Sequence, residues 1–344
     1  MPSWGVISQE ILVLQKSDPT NAFDLVRRKY ILSQYVHAKR ERAVILYATK
    51  WTQPALDNIP PDTISISETD VQGLMEVIHG VKETKLDLII HSPGGSIAAA
   101  DACVQYLRSK FEHIRVFVPY AAMSAATMIA CAADEIVMGK HSFLGPIDPQ
   151  LIMHTALGVR SIPAQTIIDQ FKMAKEECKD TSQLAVWLPT LQQYGPDLLI
   201  QCQNVLALSE KLVHDWLGQY MFKNEKDGEK KANNIAKWLS NHTEFLMHAK
   251  HIPRDELRNN GLRITNLEDD KEQQDFILSI FHATTHTFTL TGAVKIIENH
   301  LGHAFINQLQ QVMIASQQMP AQSIPTIPAQ QKQTTPFKQK KRHF

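Results

Sequence analysis

The sequence predicts an α/β fold built on a largely parallel sheet, and three observations carry the prediction. Four apolar runs of strand length, residues 43–49, 86–91, 114–118 and 135–138, follow one another along the chain. The segments between the first three show helical periodicity and helix-start residues, so strand and helix alternate at the interval of βαβ units. Two of the strands, ending at His91 and Val118, run directly into short turns that open helices; successive parallel strands deliver such turns to one edge of the sheet.

Taken in order, residues 1–40 read as a helical N-terminal arm, in which Ile11, Leu12 and Leu14 and then Phe23, Leu25, Val26, Tyr30 and Ile31 recur at mixed three and four spacing. After the strand at 43–49, Ser67 to Asp70 offer side-chain caps to a helix carrying Val71, Leu74, Met75, Val77 and Ile78, which stops near Gly80. The strand at 86–91 enters the turn Ser92-Pro-Gly-Gly-Ser96 and an Ala-rich helix at 97–103. The strand at 114–118 enters Pro119-Tyr-Ala-Ala-Met123 and a small-residue helix from Ser124 to Ala133. Beyond Pro149 the periodicity predicts helices at 163–179, 197–222, 229–240, 253–260 and 270–310. Residues 317–344 are rich in Gln, Pro, Thr and Lys with almost no apolar content, so a disordered tail is expected there, ending in the basic run Lys338-Gln-Lys-Lys-Arg342.

Composition narrows the function. Lys and Arg (35) balance Asp and Glu (35) among 344 residues, which argues against a general polyanion binder and leaves no strong nucleic-acid signal. The 44% hydrophobic content fits a folded chain. No run reaches the ~18 to 20 apolar residues of a membrane span and the N-terminus lacks the pattern of a secretion signal, so a soluble cytoplasmic protein is expected. Cys103, Cys131, Cys178 and Cys202 stand far apart, with no zinc-site spacing; they read as reduced thiols, and neither metal nor cofactor is expected.

The chemistry concentrates in the two turns. Gly94 and Gly95 stand where a strand ends and a helix begins, so their N–H groups can approach a ligand with no Cβ between. Oxyanion binding and phosphate binding both use such donors, and a plain tight turn needs the same residues; the dinucleotide fingerprint and the P-loop are both absent. Ser124 is either an N-cap or a nucleophile. Topology favours the second, because adjacent turns would place its hydroxyl beside the N–H groups of Gly95 and Ala125, the makings of an acyl-transfer site. For a base, Lys172, Lys175 and Lys179 share one predicted helix, and the apolar stripe of Ile167, Phe171, Ala174 and Cys178 runs closest to Lys175. Lys175 is therefore the one expected to be drawn inward and activated by desolvation, the alternative being a surface lysine. His248 and His251, with His242 just before them, form a histidine cluster and could share one side of a helical turn. HExxH is absent, which leaves a structural, substrate-facing or catalytic pair.

Residues 118–130, the segment Ala133-Asp-Glu-Ile-Val-Met138 and Leu144-Gly-Pro-Ile-Asp-Pro-Gln150 together resemble the serine dehydrogenase proteinase family. That family is related to signal peptide peptidase A and, more distantly, to the Clp protease subunit. The resemblance extends through 86–95, 162–164, 247–262 and 295–299, and so covers most of residues 1–305. It implies a ClpP/crotonase-like core of repeated ββα units over residues 41–180, and a helical C-terminal region, 181–312, that completes the site and mediates assembly. It also implies Ser124 as nucleophile, Gly95 and Ala125 as oxyanion donors, and a lysine base in the helix after Pro163. Lys175 stands 51 residues after Ser124, a separation similar to that in signal peptide peptidase A. No histidine occupies the place of the Clp catalytic histidine, which makes a Ser-His-Asp triad the lesser expectation. His248 and His251 match a histidine-bearing stretch of the family. Two positions depart from the family pattern: Ser92 replaces its Thr, and Ala126 replaces its Gly, adding a methyl group expected to narrow the cleft.

The expected function is an ATP-independent cytosolic serine endopeptidase with a Ser-Lys dyad, a peptide or unfolded-protein substrate, and a homo-oligomeric assembly formed through long amphipathic helices. A catalytically silent scaffold of the same fold and an acyl-CoA enzyme are the alternatives.

Overall fold

The structure is a computed structural model that describes residues 3–52, 59–155 and 158–309. Two helices open the chain, α1 (Trp4–Gln15) and α2 (Ala22–His37). They are followed by β1 (Arg42–Thr49), the short α3 (Pro61–Ile64), α4 (Thr69–Ile78), β2 (Lys85–His91), α5 (Ile97–Lys110) and β3 (His113–Val118). Next come β4 (Ala121–Ala122), α6 (Ala125–Cys131), β5 (Glu135–Met138) and β6 (Phe143–Leu144). Each of the four predicted strands falls within one residue of its expected limits.

The second half carries the helices expected at 163–179, 197–222, 229–240 and 253–260 and adds strands that were not expected. It begins with a hairpin, β7 (Gln150–Thr155) and β8 (Gly158–Pro163), then continues through α7 (Ala164–Glu177), α8 (Leu184–Leu191), α9 (Leu198–Trp216), α10 (Gly228–Ser240) and α11 (His242–Phe245). It ends with β9 (Ile252–Pro253), α12 (Arg254–Asn259), β10 (Ile264–Asn266), α13 (Lys271–Leu290), β11 (Ala293–Asn299) and β12 (Ala304–Gln308). The helix expected over 270–310 therefore stops at Leu290, and β11 and β12 occupy the rest of the described part. The expected tail at 317–344 lies outside the described residues.

The main sheet has the order β10-β5-β3-β2-β1-β11-β12. From β10 to β1 neighbouring strands are parallel, and β11 closes antiparallel on β1. Strands from beyond residue 180 thus complete both edges of the sheet. Along β1 the side chains alternate: Ala43, Ile45 and Tyr47 enter one core with residues of α4, α5, α6, α9 and α10, while Val44, Leu46 and Ala48 enter another with residues of α2 and α13. Burial on both faces explains why these strands read as continuous apolar runs. α5 begins where the Ser96 hydroxyl accepts the Ala99 N–H at 3.2 Å as an N-cap.

Charges inside the sheet are paired. Asp87 meets Arg115 at 2.7 Å as well as Arg42, and Glu298 meets Arg28 at 2.6 Å as well as Arg27. Lys295, wholly buried on β11, donates to Asp70 at 2.6 Å and to the Ser65 carbonyl at 2.8 Å. Asp70 also accepts from the Tyr47 hydroxyl (2.7 Å) and the Ser67 N–H (2.9 Å). Asp70, one of the residues expected to cap this helix, is wholly buried and anchors the segment that leads into α4.

Candidate active site

The site forms where one row of residues crosses four backbone segments. Ser92 bridges Ala122 in parallel, Ala122 pairs with Leu144 across β4 and β6, and Leu144 pairs with Ile252 across β6 and β9. Ser92 and Met123 are tied further, the Met123 N–H donating to the Ser92 carbonyl at 2.9 Å and the Ser92 N–H to the Ala121 carbonyl at 3.2 Å. The two turns singled out in the sequence therefore leave the same end of neighbouring segments.

Ser124 stands between β4 and α6 with φ 52° and ψ −121°. A residue with a Cβ holds that conformation only under constraint, at a cost of about 1–3 kcal/mol, and serine nucleophiles on strand-to-helix elbows sit on turns of this strained kind. Its side chain makes no capping hydrogen bond, which answers the N-cap alternative. The constraint is visible. The Ala126 N–H donates to the Met123 carbonyl at 2.9 Å, and the buried Thr127 hydroxyl donates to the Ala122 carbonyl at 2.8 Å while accepting the Gly145 N–H at 2.9 Å.

Gly94 (φ +97°) lies against this elbow: a Cβ there would meet the Met123 carbonyl oxygen at 2.6 Å, the Ser124 Cβ at 2.7 Å and the Ala125 nitrogen at 2.9 Å. Gly95 (φ +154°) is pressed on its other side against Ile66, whose backbone N and O would each lie 2.4 Å from a Cβ. The Ile66 N–H donates to the Gly94 carbonyl at 2.7 Å and the Ser96 N–H to the Ile66 carbonyl at 2.9 Å. Segment 65–67, held by Lys295 and Asp70, thus forms a parallel bridge behind the glycine turn. Ala125 opens α6, where the first N–H groups of a helix lack intrahelical acceptors. Among the described residues neither Gly95 N–H nor Ala125 N–H donates to a protein acceptor. Two free donors beside an uncapped serine can hold a developing oxyanion.

The remaining candidates divide. Lys175 on α7 is exposed while its neighbour Ala174 is buried, so the helix face expected to carry the lysine inward carries Ala164, Ile167 and Ala174 instead. Lys172 and Lys179 are likewise exposed and paired with Asp169 (3.2 Å) and Glu176 (2.5 Å). His248 and His251 do not share a helical turn: both follow α11 in irregular chain. His251 is exposed and stacks on Phe143, ring centroids 4.9 Å apart, whereas His248 donates through Nδ1 to Asp148 at 2.7 Å. Ala126 is wholly buried in the core, so the methyl group expected to narrow the cleft packs in the interior.

Asp148 escaped the sequence reading although its segment carries part of the family resemblance. It is buried and accepts from two imidazoles, His248 and, at 2.8 Å, His242 Nδ1. The partners lie 100 and 94 residues away in sequence, too far for any spacing rule to link them. His242 Nε2 is 3.2 Å from the Thr166 hydroxyl on α7. His91, at the end of β2, is almost wholly enclosed; burial pushes its pKa down to about 4, and its neutral Nδ1–H donates to the Ala121 carbonyl at 3.1 Å. Among the described residues no group of three or more His, Cys, Asp and Glu side chains is disposed to hold a metal ion, and no helix is long and apolar enough to cross a membrane.

The sequence matches the family described as ClpP-like SDH-type serine proteinase over residues 11–272. It is 30% identical over 202 residues to one uncharacterized protein of Methanocaldococcus jannaschii, covering 59% of this chain and 62% of the relative. To a second uncharacterized protein of that organism it is 28% identical over 177 residues, 50% of this chain and 51% of the relative. The chain thus spans less than two-thirds of the length of the curated relatives it matches. Among solved structures it is similar to a mutant of the membrane-bound stomatin-specific protease 1510-N, with a TM-score of 0.35 and 14% identity, covering 62% of this chain and 79% of that one.

Proposed function

Since the chain belongs to the ClpP-like SDH-type serine proteinase family, we propose that it is a serine endopeptidase in which Ser124 attacks the substrate carbonyl and the N–H groups of Gly95 and Ala125 hold the oxyanion. The observation that carries this reading is the strained, uncapped Ser124 wedged against Gly94. Attack joins Oγ to the carbonyl carbon, a base takes the hydroxyl proton and returns it to the departing amine, and water then releases the acyl group by the reverse sequence. The base of the expected dyad is Lys175, which from its exposed position on α7 must reach the elbow through a movement of that helix or from a second copy of the chain. The carboxylate-held His248 is the competing group.

Substrates in this proposal are peptides or unfolded segments, hydrolysis is cytosolic, and no nucleotide is used, the chain having no P-loop sequence. Exposed apolar side chains on α7, α8 and α9, among them Phe171, Met173, Leu184, Val186 and Ile200, support a homo-oligomer, for which light scattering should give a fixed multiple of 38.9 kDa. The test of function is cleavage of casein or a fluorogenic peptide together with labelling by a fluorophosphonate mapped by mass spectrometry. Label on Ser124 and loss of both signals in Ser124→Ala are expected. Turnover by Ser124→Ala refutes the assignment, and absence of labelling with retained binding of unfolded protein favours the silent scaffold.

A further inference from the structure

We propose that Lys50, at the end of β1, binds a carboxylate of the substrate, so that the favoured substrates are peptides carrying a carboxylate within about three residues of the cleaved bond. This rests on the reading of Ser124 as nucleophile and narrows its substrates from peptides in general to acidic ones. Three features carry it.

The first is a buried cation with nothing to neutralise it. Lys50 is only 5% exposed, yet among the described residues its ammonium makes neither an ion pair nor a hydrogen bond. Other buried charges of the fold are paired, Arg27 with Glu298 and Lys295 with Asp70. Burial pushes the Lys50 pKa down, and no acid stands near enough to oppose the shift. A charge held this way destabilises the fold until an anion reaches it.

The second is its two neighbours in the chain. Six buried side-chain polar atoms lack a partner among the described residues, and two of them, Thr49 Oγ1 and Trp51 Nε1, flank Lys50 in sequence. Unpartnered buried polar atoms are exceptional in folded proteins, so their recurrence beside an unpaired ammonium is informative. The chain turns here, the Trp51 N–H donating to the Thr49 carbonyl at 3.1 Å, so the strict alternation of a strand ends at Lys50. Ammonium, hydroxyl and indole N–H can all donate. A ligand that matches them is negatively charged and accepts only, which on a peptide is a carboxylate.

The third is position. In the parallel pairing of β1 with β2 Ala48 lies opposite His91, and the next residue, Ser92, bridges Ala122. Lys50 stands two residues beyond Ala48, and Ser124 two beyond Ala122. Both therefore leave the same end of the sheet, two strand spacings or roughly 10 Å apart, the span of about three extended residues. The Lys50 backbone is fixed by its N–H, which donates to the Val294 carbonyl at 2.8 Å. The chain then folds over β2, the strand on the serine side. The Trp51 ring lies 5.5 Å from that of His91, and the Thr52 hydroxyl donates to His91 Nε2 at 3.2 Å. His91 Nδ1 in turn reaches the Ala121 carbonyl, three residues before Ser124.

A carboxylate held at Lys50 anchors the peptide away from the reacting atoms, so the contact is the same in the bound substrate and in the transition state. Its effect belongs in KM and leaves kcat little changed.

The experiment compares three forms of one short fluorogenic peptide on the full chain: the C-terminal amide, the free acid with its terminus about three residues from the cleaved bond, and an amide with a single Glu at that distance. Hydrolysis gives kcat and KM, and fluorescence anisotropy on Ser124→Ala gives affinity without turnover. At least one acidic form should be favoured over the plain amide by about 10- to 100-fold in both measurements, the strength of a charge-assisted hydrogen bond. Lys50→Met should bring that ratio close to one, and Lys50→Arg, which keeps the charge, should retain most of it. Because the ratio is taken within each protein, a general loss of activity in a variant does not imitate the result. Preference for the free acid alone assigns the site to a chain terminus, and preference for the Glu peptide assigns it to an acidic side chain. No preference for either acidic form, or a preference that survives in Lys50→Met, overturns the proposal while leaving Ser124 as nucleophile. Hydrolysis by Ser124→Ala is a separate result that removes the peptidase reading itself.

Discussion

Gly94→Ala tests how tightly the serine elbow depends on the glycine turn behind it. The added methyl would lie 2.6 Å from the Met123 carbonyl oxygen and 2.7 Å from the Ser124 Cβ, whereas ordinary van der Waals contact starts at 3.4 Å. The elbow must therefore retreat by about 0.8 Å, because the atoms in the way are two backbone atoms and the Ser124 Cβ, none of which can swing aside as the end of a side chain would. The φ of +97° adds a backbone cost of about 1–2 kcal/mol for any residue with a Cβ. A displacement of that size between nucleophile and oxyanion donors should reduce kcat/KM by roughly 10²-fold. Gly80→Ala separates the two effects, because Gly80 has φ +77° but no atom within 4 Å of the place its methyl would take. It should lower the unfolding free energy by about 1–2 kcal/mol and leave activity unchanged. The assays are urea unfolding followed by circular dichroism and peptide hydrolysis on the same preparations. If Gly94→Ala keeps activity within threefold of Gly80→Ala, the close packing of the two turns does not control the chemistry and the reasoning fails.

Buried polar groups give three further expectations. His91 has a folded pKa of about 4 against about 6.5 when unfolded, so between those values the unfolded chain binds a proton that the folded chain refuses. His91 should thus cost stability as pH falls from 6.5 to 4, by up to about 3 kcal/mol, and a His91→Gln variant compared with wild type by urea unfolding at pH 7 and pH 4.5 should show a shallower loss. Lys295→Met leaves Asp70 buried and uncompensated, which should cost about 3–5 kcal/mol; adding Asp70→Asn should recover part of it, and equal stability of the two variants would refute the account. Thr127→Val removes the hydroxyl that joins Ala122 to Gly145, with an expected loss of about 2–4 kcal/mol from the unpaired groups. Thr127→Ser should keep most of the stability and the activity.

The parallel half of the sheet was legible because each strand is a short apolar run followed by a turn whose residues have few other uses. The boundary between α13 and β11 was not. Residues Ala293–Asn299 are buried on both faces, so they show neither a period of two nor of 3.6, and a run of that kind adjoining a long helix reads as its continuation. Lys175 shows a different limit. A helical wheel places it beside an apolar stripe, but only packing decides which side of the stripe a neighbour covers, and here the buried positions are Ala164, Ile167 and Ala174. Ser124 and the glycines were singled out by motif and topology together; the positive φ of Ser124 is a property of the folded backbone alone. Asp148 had no local signal, being one acid between Ile147 and Pro149 whose histidine partners come from a segment 94 to 100 residues later.

Strain at Ser124 also bears on why the site needs so much of the chain. A conformation that costs about 1–3 kcal/mol survives only where its surroundings fix it several times over, and the hydrogen bonds of a two-residue strand such as β4 are too few to do so. The constraint comes from Ser92 on one side, from Thr127 and Gly145 on the other, and from Gly94 pressed against the elbow. Gly94 is in turn backed by Ile66, whose segment is fastened by Lys295 of β11, the strand that closes the sheet from the far end of the sequence. Residues from 65 to 295 therefore act together on the conformation of one serine.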